Sequence, residues 1–439
     1  MAGLWALLLV EAVVVVVVMR PWLEPDSRAY LALSRNLLDG RYGTFRDGAF
    51  APELFHPPGY PVYLMVLLRL LRLPAAAVVA SQMALLLASV ALLQRLLVRH
   101  GLSPLPFLVI VAVTPATMGY AAKLMSEGPA IFVVACLTYL LAAPGRFGTG
   151  RVVGVALLAG GSIMLRPSLI LLPVVVAAGV ALVRLRAEPG RRPALAAGAV
   201  LVLAGVTLVP YTAVNYRQVD RATPLPPAAA IGYTVYASTF DPAEVDAGRK
   251  ADEGELPAGS GREYAAERAR INDRIEARAS GSGEPATVSR ELAGSEVYQD
   301  AAWRRVRDDP VGYARQVAFN WWRLWNTAEF PDGTPGVVRL GLQAANAAVW
   351  VLGLAGVAWV VLRSLRRRLA PGWAAAGLVL LYFPAVHAFM ISTARYTAPA
   401  RLVLDLFAAV LALELLARYR ARRGGGAPAT LGSRAPAGG

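Results

Sequence analysis

A single cysteine, Cys136, and three histidines, His56, His100 and His387, stand in a chain of 439 residues. One thiol allows no disulfide framework and no cysteine metal site, and so few imidazoles argue against a multi-histidine metal centre. Charge is scarce too, at 17% of residues, where soluble domains carry about 25%. Acids are the scarcer sign, 29 against 44 Lys and Arg, which leaves a net charge of +15. A P-loop, a G-x-G-x-x-G turn, an H-E-x-x-H helix, a G-x-S-x-G elbow and an Asp-rich calcium loop are all missing. Nucleotide-driven transport, dinucleotide chemistry and zinc proteolysis therefore have no anchor in the sequence. No soluble segment carries a basic stripe interleaved with aromatics, so nucleic acid is not an expected partner despite a pI near 10.3.

What fills the chain instead is apolar surface: 56% hydrophobic residues and a mean hydropathy of +0.49. Such a composition predicts an all-α, polytopic integral membrane protein. Crossings are expected at 4–19, 75–98, 104–121, 128–143, 152–165, 168–184, 194–213, 337–362, 373–391 and 397–417. Residues 59–72 form a run too short to span a bilayer core of about 30 Å, and are expected to lie on the surface. With these ten crossings the Arg clusters near 95–99, 146–151, 184–192, 363–368 and 418–423 share one side, which the positive-inside rule makes cytoplasmic, together with both termini. The expected organisation is a membrane module over 1–213 with a first outer loop at 20–74, and an outer-face loop over 214–336 with helices around 262–279 and 287–326. Membrane helices over 337–423 and a disordered Gly/Ala/Pro-rich cytoplasmic tail, 424–439, complete it. The run Phe319-Asn320-Trp321-Trp322-Arg323-Leu324-Trp325 has the aromatics of an interfacial belt.

Just beyond the first crossing, Pro25-Asp26-Ser27-Arg28-Ala29-Tyr30 opens a short amphipathic helix whose apolar positions are Tyr30, Leu33, Leu37 and Leu38. Asp26 or Ser27 is expected to cap its start and Gly40 its end. The topology gathers Asp26, His56, Lys123, Glu127, Arg166, Arg217 and Arg395 on the outer face. Lys123, Arg166 and Arg395, in short outer loops, do not serve the positive-inside pattern, and anion binding explains them: guanidinium forks and an ammonium suit a phosphate. A carboxylate beside that phosphate can take a proton from an attacking hydroxyl. The plainer alternative pairs Lys123 with Glu127 at a helical i, i+4 spacing and lets Arg166 snorkel. No cofactor is indicated, and a divalent cation at Asp26, Glu127 or His56 is left open.

Several motifs, in order, resemble the GT-C superfamily of polyprenyl-phosphate-dependent glycosyltransferases, in particular the bacterial branch of aminoarabinose transferases and protein O-mannosyltransferases. They are Asp26-x-x-x-Tyr30, Asn36-Leu37-Leu38-x-Gly40, His56-Pro57-Pro58-Gly59-Tyr60-Pro61, Ser126-Glu127, Leu165-Arg166-Pro167, Pro210-Tyr211-x-x-x-Asn215-Tyr216-Arg217 and Arg395-Tyr396-x-x-Pro399. The resemblance implies Asp26 as catalytic base, Glu127 as a second acid, and Tyr30, His56, Tyr60, Lys123, Arg166, Arg217, Arg395 and Tyr396 as substrate-binding residues. It implies transfer of a sugar, with inversion, from a polyprenyl-phosphate donor to a glycan, lipid or protein acceptor at the outer face of the bacterial cytoplasmic membrane. A histidine stands in the first loop where some relatives carry lysine. A transporter or flippase of a lipid-linked anion, or an oligosaccharide polymerase or ligase, is the alternative reading.

Overall fold

The computed structural model describes residues 1–18, 23, 25–46, 49–53, 56–114, 116–187, 192–219, 229–241, 243–245, 247–248, 261–280, 286–326, 336–366, 369–390 and 394–423. The tail from Gly424, and nearly all of the Gly/Ser/Pro-rich stretches around 254–261 and 280–285, lie outside the described residues. The fold is all-α apart from one hairpin. The first helix, α1 (Ala2–Val18), leads to α2 (Pro25–Asn36), a 3₁₀ turn at Leu37–Asp39, and strands β1 (Gly43–Arg46) and β2 (Ala49–Pro52). Next come α3 (Gly59–Leu64), which runs on as a π-helical turn at Met65–Leu70, and α4 (Ala75–Arg99). Helices α5 (Leu105–Val113), α6 (Ala116–Ala122), α7 (Glu127–Ala142), α8 (Thr149–Leu165), α9 (Leu172–Ala187) and α10 (Arg192–Val219) follow. Beyond them lie α11 (Ala229–Ala237), α12 (Arg262–Ala279), α13 (Ala286–Asp308), α14 (Pro310–Asn326), α15 (Gly336–Leu365), α16 (Pro371–His387) and α17 (Arg401–Arg422).

Among the described residues four helices are long and apolar enough to cross a membrane: α4, residues 167–186 around α9, α10 and α15. On α10, Leu195, Val202, Val206 and Val209 recur at helical spacing and are all more than half exposed. A stripe of that kind in water is an aggregation site; in lipid it is the ordinary surface of a spanning helix. The chain is an all-α polytopic membrane protein. Shorter apolar helices, among them α1, α7, α8 and α16, join the bundle. The helix expected over 104–121 is broken, α5 ending at Val113 and α6 starting at Ala116, because Pro115 stands between them and cannot donate to the helical ladder. Likewise the outer helix expected over 287–326 is two, divided at Asp309-Pro310.

Helix α7 sits at the centre of the bundle, packed on α4, α8, α16 and α17. Helices α11, α12 and α13 enclose a second, smaller core of Tyr236, Phe240, Tyr264, Ile271 and Val297. The amphipathic α14 lies against α15, α16 and the 3₁₀ turn Ala394–Tyr396. There the Asn320 amide donates to the Ala388 carbonyl at 3.3 Å and the Thr397 hydroxyl to the Leu324 carbonyl at 2.9 Å.

The small hairpin is the element that the sequence reading lacks. Its register pairs Gly43 with Pro52 and Arg46 with Ala49. Gly40 ends the preceding 3₁₀ turn with φ of 68°, in the left-handed region that glycine enters freely. As a result the chain folds back over α2 and returns at Glu53 and His56.

Candidate active site

Pro25 takes the first turn of α2, where its missing N–H costs nothing. Asp26 is thereby inside the first turn and is not the cap; the positive helix terminus favours its carboxylate there. Its side chain reaches across the fold instead. Arg395 Nη2 donates to Asp26 Oδ2 at 2.9 Å, and His56 Nε2 stands 4.0 Å from Asp26 Oδ1, an ion-pair distance rather than a hydrogen bond. Burial pushes the Asp26 carboxyl up, but the positive charges of His56 and Arg395 outweigh it and hold the group well below the usual carboxylate range. His56 is in turn tied to Glu53, whose Oε1 accepts from the His56 backbone N–H at 2.8 Å and lies 3.2 Å from Nδ1.

A second pair lies alongside. Glu127, the first residue of α7, meets Arg166 Nη1 at 2.8 Å, with side-chain exposures of 2% and 8%. The helical spacing expected to set Glu127 beside Lys123 is not there, since α6 ends at Ala122 and residues 123–126 are not helical. Nor does Arg166 snorkel: Pro167 forces the preceding residue out of the helical region, so Arg166 adopts φ −148° and ψ 124°, ends α8 and turns inward. The two pairs share one ring. Arg395 Cζ lies 5.5 Å and Arg166 Cζ 5.8 Å from the centre of Tyr396, within cation–π reach. Tyr396 itself stacks on His387 at 5.1 Å.

Two tyrosines form the floor. Tyr30 meets the His56 ring edge-on at 4.9 Å and the Tyr60 ring at the same distance, and burial pushes its phenol above the ordinary range. The Tyr60 hydroxyl donates to Gln82 Oε1 at 2.9 Å, and Gln82 Nε2 donates to the carbonyls of Ala121 and Lys123 at 2.8 Å each. Gln82 thus fastens α3 and the segment of the buried Lys123 to α4. Arg217 is not brought in. It is exposed at the end of α10 and makes no ion pair with a described residue, while Tyr211 and Asn215, earlier in the same helix, are buried, with Tyr211 edge-on to Tyr42 at 6.1 Å. That motif anchors α10 to the start of the hairpin.

The halves of the site meet because Gly59 lets α3 touch the end of α8. A Cβ at Gly59 would stand 2.4 Å from the Met164 carbonyl oxygen and 2.7 Å from its carbon. Backbone cannot give way as a side chain can. Gly59→Ala is accordingly expected to destabilise the protein by about 1–3 kcal/mol, the usual cost of overpacking. A lowered thermal midpoint in detergent would show it, and an unchanged one would remove the close approach from the account.

Sequence reading placed Asp26, His56, Tyr30, Tyr60, Glu127, Arg166, Arg395 and Tyr396 here, and the fold brings these together. It missed Glu53, whose signal is a carboxylate three residues before a histidine, and it did not see that each arginine already faces an acid. Among the described residues no three His, Cys, Asp or Glu side chains converge as a metal site would require.

An all-α membrane protein with two ion pairs on one tyrosine, beside a short amphipathic helix, is the class that the fold and the site define. No protein-family model and no curated protein matches the chain. Among solved structures, ArnT from Cupriavidus metallidurans bound to undecaprenyl phosphate is 16% identical over 91% of this chain and 78% of that one, with a TM-score of 0.39. Its apo state gives 17% identity and 0.38 over the same shares. The oligosaccharyltransferase AglB from Archaeoglobus fulgidus, in complex with an inhibitory peptide and a dolichol-phosphate, is 12% identical with a TM-score of 0.47. The match covers 96% of this chain, which spans 52% of AglB. These are proteins of the kind that the sequence motifs resemble, at a distance too great to carry an activity across.

Proposed function

We propose that the protein is a membrane glycosyltransferase that moves a sugar from a polyprenyl-phosphate donor to an acceptor at the outer face of the membrane. The observation that carries this reading is the pair of guanidiniums, Arg166 and Arg395, on the Tyr396 ring with Asp26 alongside. Two planar forks beside one ring suit the oxygens of a phosphate, and the apolar faces of the bundle suit a polyprenyl tail. Arg395 is the mobile partner in this reading: a quarter exposed, it can exchange Asp26 for the phosphate, whereas Arg166 is locked to Glu127. Exchange has a chemical consequence. Asp26 paired with Arg395 is a weak base; once the phosphate takes Arg395, the carboxylate, with His56 still beside it, regains part of its affinity for a proton and can accept one from the acceptor hydroxyl or amine as it attacks the anomeric carbon. The polyprenyl phosphate leaves with its charge held by both arginines. Glu127 is the buried counter-charge that fixes Arg166.

Two measurements test the reading. Incubating the purified protein in nanodiscs with a panel of radiolabelled polyprenyl-phosphate sugars and membrane extract is expected to transfer label from one donor. No release of polyprenyl phosphate from any donor, with the protein folded, would overturn the function. Separately, Arg395→Ala is expected to weaken undecaprenyl-phosphate binding by about 1.5–3 kcal/mol, the scale of a charge-assisted hydrogen bond, with Lys restoring only part. Unchanged affinity in the Ala variant would take the phosphate away from Arg395.

A further inference from the structure

We propose that Glu53 is a positioning residue of this site: it holds the His56 imidazole in its doubly protonated form, with Nε2–H directed at Asp26 and at the anion bound beside it. The inference rests on the reading above that a lipid phosphate is that anion.

Glu53 follows β2 directly, is 8% exposed, and is fixed by its backbone N–H, which donates to the Tyr42 carbonyl at 3.0 Å. From there one carboxylate oxygen receives both the backbone N–H and Nδ1 of His56. A carboxylate only accepts, so Nδ1 carries a proton in either charge state of the ring. The Tyr42 hydroxyl donates to the His56 carbonyl, and Tyr30 covers one edge of the imidazole. Main chain, ring and carbonyl are all pinned, and the ring stands between two carboxylates.

Among the described residues, the groups that face His56 include Glu53 after the hairpin, Asp26 and Tyr30 from α2, and Tyr42 before β1, with Arg395 beyond Asp26. Burial pushes the imidazole pKa down. The two carboxylates outweigh it and raise the value to about 9. An ordinary histidine, with a pKa of about 6.5, loses most of its charge by about pH 7.5. Here the imidazolium persists across the physiological range, so the site keeps a cation next to Asp26 even when Arg395 turns to the phosphate. Raised above its unfolded value, the group adds stability that is fully present below about pH 6.5 and is lost as pH rises through about 9. Glu53 lets a histidine do what would otherwise need a lysine.

The test has two arms. The chain holds three histidines, so labelled imidazole signals can be followed by NMR in nanodiscs and His56 assigned from its Gln variant. In the wild type His56 is expected to titrate near pH 9, and in Glu53→Gln at least about one unit lower, toward the unperturbed 6.5. In the second arm, undecaprenyl-phosphate affinity of the wild type is expected to be flat between about pH 6.5 and 8.5, while Glu53→Gln loses about tenfold over that interval. Glu53→Gln with His56→Lys should be flat again, since an ammonium needs no carboxylate to stay charged. An unshifted His56 titration in Glu53→Gln overturns the proposal, as does loss of binding at every pH that Lys fails to rescue. If Glu53→Gln does not fold, a wild-type His56 titrating near 6.5 overturns it equally. Absence of undecaprenyl-phosphate binding by the wild type, with the His56 shift present, overturns the lipid-phosphate reading and leaves the hold of Glu53 on His56 standing.

Discussion

Asp26→Asn is expected to lower sugar transfer by about a hundred- to ten-thousand-fold, the usual worth of a general base, while donor binding persists. Asn is nearly isosteric, keeps a carbonyl oxygen that Arg395 can donate to, and sits comfortably in a helical first turn. What it cannot do is take a proton. The size of the fall is tied to the state of Arg395, because a carboxylate held by a guanidinium at 2.9 Å and an imidazolium at 4.0 Å is a poor acceptor. Transfer at the wild-type rate in the Asn variant would reduce Asp26 to an ion-pair partner and move the search for a base to Glu127.

Arg166→Leu is expected to destabilise the protein by about 3–5 kcal/mol, the penalty of leaving a buried charge without its partner. Glu127 is 2% exposed and would keep its carboxylate in a site that water barely reaches. The double replacement Glu127→Gln with Arg166→Leu removes the stranded charge, and most of the lost stability should return without activity returning. Thermal midpoints in detergent for the single and double variants decide this. Equal midpoints for wild type and Arg166→Leu would mean that the pair contributes nothing to the fold.

The helix α2 was legible because Tyr30 and Leu33 recur at helical spacing, but it ends at Asn36, and Gly40, expected to cap it, instead ends the 3₁₀ turn that follows. The inward turn of Arg166 is equally local, dictated by the proline after it. What stayed hidden was pairing. Asp26 reads as a helix cap from its neighbours, since nothing within a turn of it announces an arginine 369 residues away. Strands of four residues gave too little alternation to outweigh the helical pattern around them. The break at Pro115 was written in the sequence, yet a continuous apolar run masked it. Local chemistry set the conformations, and the tertiary fold chose the partners.

That distance has a bearing on how the protein comes into being. Asp26 leaves the ribosome early, and Arg395 arrives just before the final helix, 369 residues later. At roughly 5–20 residues per second, translation leaves the acid waiting for on the order of 20 to 70 seconds before its guanidinium exists. Over that interval His56, only thirty positions on, is a cation that can shield Asp26 while later helices enter the membrane. A protein truncated before residue 395 would present Asp26 with no guanidinium to meet it.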